Sequence, residues 1–533
     1  MELARLVEDG ERENIEFKER LERQTHLESG RLESLAAQMK HRILTGGGSA
    51  TYVVGVTDDG GLEGISDEEL DESISVLSVI AGEADAALRE VETHDVGTGE
   101  VAVVSITNAY EDKDHLVVGT AGHVDHGKST LVGSLVTGTP DDGDGSTRVY
   151  LDVQPHEMDR GLSADLSYGV YGFESGSEEP VRMNNPLSKR ERSSVVENSE
   201  KLVSFVDTVG HEPWLKTTIR GIMGQKLDYG LVTVAADDGP THITREHLGI
   251  LLAADLPTIV AVTKSDLVSD ERLEEVEEEV AELLKNVGKI PHSVEDRGVE
   301  TAVDRLPRGV IVPILRTSAV TMEGLDTLDE IFRELPKTHG EIESDEEFEM
   351  YIDRTYEVTG VGTVASGTVK QGEVEVGDEV YLGPTSDGDF RRAEVRSIEM
   401  HYHRVEKAKP GNIVGVALKG KKVDEVEISR GMALTSDPDA ESVREFEAEV
   451  MVLNHPTRIR EGYEPVVHLE TVSEAAVFEP EGGHLLPGQE GKAKLRFKFR
   501  PYMVKEGQKF VFREGKSKGV GTVTRVGTGE DED

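Results

Sequence analysis

Nine consecutive residues, Gly122-His123-Val124-Asp125-His126-Gly127-Lys128-Ser129-Thr130, have the types and spacing of a phosphate loop. The glycines let successive backbone N–H groups turn toward a pyrophosphate. Lys128 supplies a positive charge for the β- and γ-phosphates, and Ser129 offers a hydroxyl to Mg2+. Further along, Asp207-Thr208-Val209-Gly210-His211 ends an apolar run. An acid there reaches Mg2+ through water, and the glycine N–H can meet a γ-phosphate. Thr263-Lys264-Ser265-Asp266 follows a later apolar run. Its carboxylate can accept from N1–H and the N2 amine of guanine. Adenine lacks that donor pair, so Asp266 selects GTP over ATP. The Lys264 stem can lie along the purine face. Ser318-Ala319 would present a backbone N–H to the guanine carbonyl. Each motif alone also fits a polar turn; specificity comes from finding them together and in order.

These residues need strands to carry them. Residues 115–340 alternate strand and helix patterns, as in a parallel sheet with helices on both faces. The last three motifs follow strands, and ligands bind at the carboxyl ends of strands in such sheets. Residues 174–200 read as an inserted hairpin with Lys189-Arg190-x-Arg192 near its tip, a candidate RNA contact or a solvated charge run. Residues 1–114 read as a small α+β domain of open role. Apolar positions 32, 35, 36, 39 and 43 give a helix, and Ser66-Asp67-Glu68-Glu69 is a capping box opening a helix to about 91. Beyond the acidic stretch 341–347, helical periodicity stops. Short alternating strands with frequent glycines suggest two antiparallel barrels, 345–437 and 443–526. Residues 527–533 are expected to be a disordered acidic tail.

The formal charge is −47, with acids spread along the whole chain. That pattern suits a salty cytoplasm and a halophilic source. At molar salt the Debye length is about 3 Å, so any RNA contact must work at short range. The C-terminal barrel reverses the trend, with Lys492, Lys494, Arg496, Lys498 and Arg500 alternating along one strand. A second basic group comprises Arg391, Arg392, Arg396, His401–Arg404, Lys407 and Lys409. Phosphate contacts with tRNA or ribosomal RNA are the expectation for both. There is no cysteine, which excludes disulfides and Cys-ligated zinc. No apolar run has the length of a membrane span, and the N-terminus shows no leader pattern, so a cytoplasmic monomer without membrane or DNA partners is expected.

The phosphate loop together with Asp207-x-x-Gly210-His211 resembles the translational GTPases of the elongation factor Tu and elongation factor 1-alpha superfamily. Val361-Gly362-Thr363-Val364, Gly411-Asn412-x-Val414-Gly415 and Arg430-Gly431-Met432 are similar to that superfamily's second domain. His455-Pro456-Thr457 and Phe510-Val511-Phe512-Arg513-Glu514-Gly515 are similar to the GTP-binding protein 1 and 2 group, whose archaeal members share this layout. The resemblance covers residues 115–526. It implies a multidomain α/β plus β chain: a doubly wound P-loop GTPase domain, then two antiparallel β-barrels, behind the small N-terminal domain. It also implies GTP and GDP as ligands, Mg2+, and a ribosome and tRNA as partners.

Carried over by position, His211 would orient the attacking water, with Val124 and Leu162 as its apolar gate. Asp125 matches an acid linked to a bound monovalent cation, K+ being the natural choice. The first switch reads Arg160-Gly161-Leu162-Ser163, where the family has Ile-Thr at the last two positions. Ser163 would be the Mg2+ ligand, and the lost methyl puts the ordering of the switch in question. Thr263 stands where the family has Asn, which is expected to weaken guanine affinity. The role implied is delivery of aminoacyl-tRNA or ribosome rescue. Alternatives are an RNA-surveillance switch bound to mRNA or an RNA-decay complex, and a metabolic GTPase like the sulfate adenylyltransferase large subunit. The N-terminal residues Glu16-Phe17-Lys18 and Gly55-Val56-x-Asp58-Asp59-Gly60 resemble AlbA-like domains of Schlafen-type proteins, though a structural role is the better reading.

Overall fold

The computed structural model describes the chain apart from residues 1–2, 4–5, 8–9, 13, 29, 47–48, 58–59, 85, 109–112, 151–165, 175, 178, 209–214, 339–345, 359–361, 421–422, 424–426, 516 and 528–533. The acidic tail, the first switch with Leu162 and Ser163, and Val209, Gly210 and His211 therefore lie outside the described residues, as do Asp58 and Asp59. The chain forms two compact units, residues 1–112 with 404–406, and the remainder.

In the first unit, a four-stranded sheet runs in the order Ile15–Lys18, Ser49–Val54, Glu100–Asn108, Ala86–Asp95. Helices Arg31–Thr45 and Asp67–Glu83 share a core with it through Met39, Ile43, Val76, Leu77, Val104 and Ile106. The Ser66 capping box forms as its sequence predicts. The helix stops at Glu83 rather than near 91, because residues 86–95 pair antiparallel with Glu100–Asn108. A cross-strand partner there outweighs continued helical spacing. Glu16 is buried and paired to Lys18 and Arg42. That is a structural carboxylate.

The second unit opens with an eight-stranded sheet in the order Ile290–Ser293, Ile311–Arg316, Thr258–Thr263, Tyr229–Ala235, Asp114–Gly122, Lys201–Asp207, Ser167–Phe173, Pro180–Val181. The first six are parallel, and Ser167–Phe173 runs antiparallel to Lys201–Asp207. The central strands are buried along their whole length, as their unbroken apolar runs require. The expected inserted hairpin is instead the two-residue strand Pro180–Val181 followed by helix Lys189–Asn198, capped by Ser188. Lys189 and Arg190 on this helix are exposed, and Arg192 is half-buried. The Lys189 ammonium sits 5.0 Å from the Tyr402 ring, and Arg192 donates to the Pro186 carbonyl at 2.5 Å.

Two closed six-stranded barrels follow. In the first ring, Glu349–Val358, Gly362–Gln371, Ile413–Lys419, Arg391–Met400, Glu379–Gly383 and Ala433–Thr435 pair in turn and close on Glu349–Val358. In the second, the order is Glu445–Asn454, Glu490–Phe497, Val472–Pro480, Val466–Leu469, Lys509–Glu514, Ser517–Val526. Closure leaves no free edge in either ring.

The exit from the parallel sheet toward the barrels is clamped. Asp228, fully buried, accepts from Val117 N–H at 2.8 Å and from both Thr338 N–H and Oγ1 at 2.9 Å. Tyr229 Oη donates to the Pro336 carbonyl at 2.8 Å, and Lys337 Nζ to the Pro410 carbonyl at 2.6 Å.

Candidate nucleotide-binding site

Strand Asp114–Gly122 delivers the loop, and helix Lys128–Thr137 receives it. Gly122, Asp125 and Gly127 have φ of 138°, 59° and 76°. The turn therefore needs left-handed backbone at several positions, and glycine takes it freely. A Cβ on Gly122 would also meet the Thr233 carbonyl at 2.5 Å. Val124 is half-buried, and Asp125 is exposed on the lip of the loop.

Lys128 is buried, and its ammonium donates to the carbonyls of Gly122 at 3.2 Å and His123 at 2.8 Å. Burial pulls its pKa down to about 8, opposed by the carboxylates of Asp207 and Asp125. This gives a signed expectation. Phosphate binding favours charged Lys128, so GTP affinity is full below pH 8 and falls as pH rises above it, by up to about tenfold per unit. Calorimetric titration of GTP between neutral and alkaline pH checks this; a flat profile would contradict it.

Asp207 ends its strand nearly fully buried. One oxygen accepts from Ser129 Oγ at 2.6 Å and the other from Thr120 Oγ1 at 2.6 Å. Thr208 is fixed in turn, its N–H donating to Thr120 Oγ1 at 3.0 Å and its hydroxyl to the Thr120 carbonyl at 2.7 Å. The sequence motifs thus converge, and Ser129 and Asp207 bring two hard oxygen donors together, a donor set that fits Mg2+. Thr130 lies in the first turn of the helix.

On the base side, Thr263 Oγ1 donates to the His126 carbonyl at 2.9 Å. Its single hydroxyl proton therefore ties the guanine turn to the phosphate loop. Lys264 takes φ of 58°, and its ammonium lies 3.5 Å from Asp237. Asp266 Oδ1 accepts from Ser318 Oγ at 2.6 Å. Ser318 N–H already donates to the Glu323 carbonyl at 3.0 Å, so the donor left for a guanine carbonyl is that of Ala319. Ser265 Oγ donates to Glu323 Oε2 at 2.6 Å. Glu323 thereby holds both halves of the base site from a position that no motif marks.

Two further residues escape sequence reasoning. His247, on helix His242–Ala253, accepts from Gly122 N–H at 2.9 Å through Nδ1. Burial pushes its pKa down to about 3, with Lys128 and His123 adding to the effect, so it stays neutral as that bond requires. In sequence it is one His on an apolar helix face, with no signal of a role. Asp238 accepts from His126 Nε2 at 3.0 Å. The donor atoms of His123, His126 and Asp238 lie within 4.8 Å of one another. They nevertheless suit a metal poorly. Ala235 N–H donates to His126 Nδ1 at 3.2 Å, which fixes the proton on Nε2 and leaves no lone pair there for an ion. His126 and Asp238 form a hydrogen-bonded clamp on the loop, and the His123 ring packs edge-on against His126 with centroids 5.1 Å apart.

The basic strand of the last barrel differs from its expectation. Lys492, Lys494 and Arg496 stand directly across the ladder from Glu449, Glu447 and Glu445, and Lys494 also faces Glu479. Lys494 lies 2.5 Å from Glu445. This face is a compensated charge ladder, not an uncovered phosphate stripe. The middle barrel shows the same pattern, with Arg391 on Asp389, Arg392 on Glu379, and Lys407 and Lys409 on Glu373, while His401 is half-buried and desolvation lowers its pKa to about 3.

A doubly wound sheet with this loop, an aspartate facing its serine and a guanine-selecting turn, followed by two closed barrels, defines a translation-factor-type P-loop GTPase. The elongation factor Tu GTP-binding domain matches residues 113–337, its domain 2 matches 362–435 and its C-terminal domain 439–527. GTP-binding protein 1 of Xenopus laevis is 33% identical over 501 residues, 93% of this chain and 76% of that protein. GTP-binding protein 2 of Homo sapiens is 34% identical over 540 residues, 98% of this chain and 87% of that one. The chain belongs to the elongation factor Tu-type GTPase family and, within it, is akin to GTP-binding proteins 1 and 2. Elongation factor 1-alpha of Methanopyrus kandleri is 35% identical over 69% of this chain and 82% of its own. Among solved structures, bacterial selenocysteine-specific elongation factor EF-Sec has TM-score 0.57 and 23% identity, covering 77% of this chain and 58% of its own. The chain spans little more than half of that structure. SelB of Methanococcus maripaludis with a GTP analogue has TM-score 0.56 and 21% identity, covering 79% and 81%. The chain is a GTPase whose nucleotides are GTP and GDP. Among the described residues, no helix is long and apolar enough to cross a membrane.

Proposed function

We propose that this GTPase works on the ribosome, coupling its nucleotide state to binding of a tRNA end for aminoacyl-tRNA delivery or a related rescue task. The observation carrying this is a polar cavity of about 460 Å³ where the GTPase domain meets both barrels. Arg220 enters it from helix Leu215–Met223, Arg430 and Ser429 from the first barrel's last turn, and Arg500, Thr471 and Ser473 from the second barrel. Arg500 is held in place by Tyr502 Oη at 2.8 Å and by the Arg430 carbonyl at 3.0 Å. Three guanidinium groups and several hydroxyls in one concavity are the chemistry of a phosphate, in a chain whose overall charge is −47. The names of the similar proteins, elongation factors 1-alpha, EF-Sec and SelB, agree with this reading.

Within it, Ser129 and Ser163, with Asp207 acting through water, would hold Mg2+, which would supply charge neutralisation on the phosphates. Lys128 and the loop N–H groups grip the β- and γ-phosphates, and Asp125 would bind a monovalent cation. His211 orients the water that attacks the γ-phosphate, and helix Leu215–Met223 carries the change onward to Arg220. The test is GTP hydrolysis at high KCl with and without ribosomes, for the parent and for His211→Ala. Stimulation is expected in the parent, with a loss of about a hundredfold or more in the variant. GTP binding without any ribosome stimulation would sink the proposal.

A further inference from the structure

Phe499 is 73% exposed, the most exposed large apolar side chain among the described residues. Ten of the twelve phenylalanines are buried, so this chain seldom leaves such a ring in water. The backbone beneath the ring is pinned on both sides. Phe499 N–H donates to Glu474 Oε1 at 2.7 Å, and Arg500 N–H reaches the same oxygen at 3.4 Å. The Phe499 carbonyl accepts from Arg444 Nη2 at 2.7 Å. Glu474 is itself nearly buried and accepts from the Tyr502 hydroxyl at 2.6 Å through its other oxygen. A buried carboxylate and a surface guanidinium thus hold the segment while the ring points outward.

The surroundings indicate what the ring meets. Its chain neighbours are Lys498 and Arg500, and Arg500 lines the three-arginine cavity. An apolar protein partner would look for further apolar surface around the ring. This ring instead sits in sequence between Lys498, whose ammonium lies 2.7 Å from Glu464, and Arg500, whose side chain lines the polar cavity. A flat π-face next to phosphate-binding groups suits a nucleobase, because every base offers a face to stack on. Stacking also survives molar salt, where the field of a −47 chain and its attraction to phosphate are both screened.

We propose that Phe499 is a stacking platform for an unpaired nucleobase at the end of the RNA whose phosphate enters the arginine cavity. This rests on the RNA reading above and adds the single-stranded terminus as the element recognised.

The full-length protein, loaded with a non-hydrolysable GTP analogue, is titrated with two fluorescent RNA hairpins, one blunt and one ending in a short single-stranded 3′ overhang. Phe499→Ala is expected to weaken the overhang hairpin roughly tenfold and Phe499→Trp to restore it, with blunt-hairpin affinity equal in all three. The ratio between parent and Phe499→Ala should persist at molar KCl while absolute affinities fall. Because the ring lies outside the core, an unchanged melting temperature accompanies the Ala variant. Equal affinity of parent and Phe499→Ala for the overhang hairpin, together with a loss in Arg500→Ala, overturns the stacking role and leaves the RNA reading intact. A loss of ribosome binding in Phe499→Ala with both hairpins unaffected overturns it in favour of a protein contact. Binding of neither hairpin by the parent overturns both readings together.

Discussion

Asp266→Asn is expected to lower GTP affinity by about four orders of magnitude while raising affinity for XTP. Guanine presents two donors, N1–H and the N2 amine, to a carboxylate that accepts both. An amide in the same place offers one acceptor and turns its NH2 toward a donor. Xanthine carries a carbonyl where guanine has the amine, so the amide then pairs correctly. The scaffold makes the exchange clean. Ser318 Oγ holds Asp266 Oδ1 at 2.6 Å, and Glu323 fixes Ser318 through its carbonyl and Ser265 through its carboxylate. The side chain at 266 is therefore held where a base must meet it, and an asparagine oxygen can take the same serine bond. Competition of GTP and XTP against a fluorescent GDP derivative measures the effect. A variant with undiminished GTP affinity would show that guanine is recognised elsewhere.

The second large effect concerns stability and coupling together. Asp353, on the first barrel, is nearly buried and lies 3.1 Å from Arg220 Nε, whose side chain is only 9% exposed. Its other oxygen accepts from the Tyr168 hydroxyl at 3.3 Å and faces Arg354 at 3.7 Å. Arg354 in turn lies over the Tyr168 ring and donates to the Leu166 carbonyl. One carboxylate thus meets the strand that follows the first switch and the helix that follows His211. Asp353→Ala takes the counter-charge from two poorly hydrated guanidinium groups, which costs about 3–5 kcal/mol. Asp353→Asn keeps the shape and the Tyr168 bond, so a smaller loss is expected. Urea unfolding gives the energies. Ribosome-stimulated hydrolysis should fall in the Ala variant well beyond its basal rate. A loss below about 1 kcal/mol in Asp353→Ala would mean that the cluster is solvated and uncoupled.

What the sequence shows and what it hides divide along physical lines. The phosphate loop, Asp207, the Thr263–Asp266 turn and Ser318-Ala319 are legible because each motif is local and follows an apolar strand, so strand order alone brings them to one edge of the sheet. The barrels are legible from the loss of helical period after residue 347. His247 and Asp353 are hidden because Gly122 and Arg220 lie far along the chain, and Glu323 because nothing local distinguishes a supporting carboxylate from a solvated one. The alternation of Lys492, Lys494 and Arg496 is legible as a strand face but misleading as a phosphate stripe. Its glutamates sit more than forty residues earlier, at 445, 447 and 449, and only strand pairing reveals them. In the N-terminal unit, the apolar spacing beyond Glu83 fits helix and strand alike, and the partner Glu100–Asn108 decides.

Asp228 holds the phosphate-loop strand through Val117 with one oxygen and Thr338, on the way out of the sheet, with the other. In mechanical terms it is a fulcrum. The chain leaving the sheet is bolted, through that carboxylate, to the same strand that carries Gly122. A pull that reaches Thr338 would therefore pass through one buried carboxylate, and three hydrogen bonds, into the strand that ends at the nucleotide.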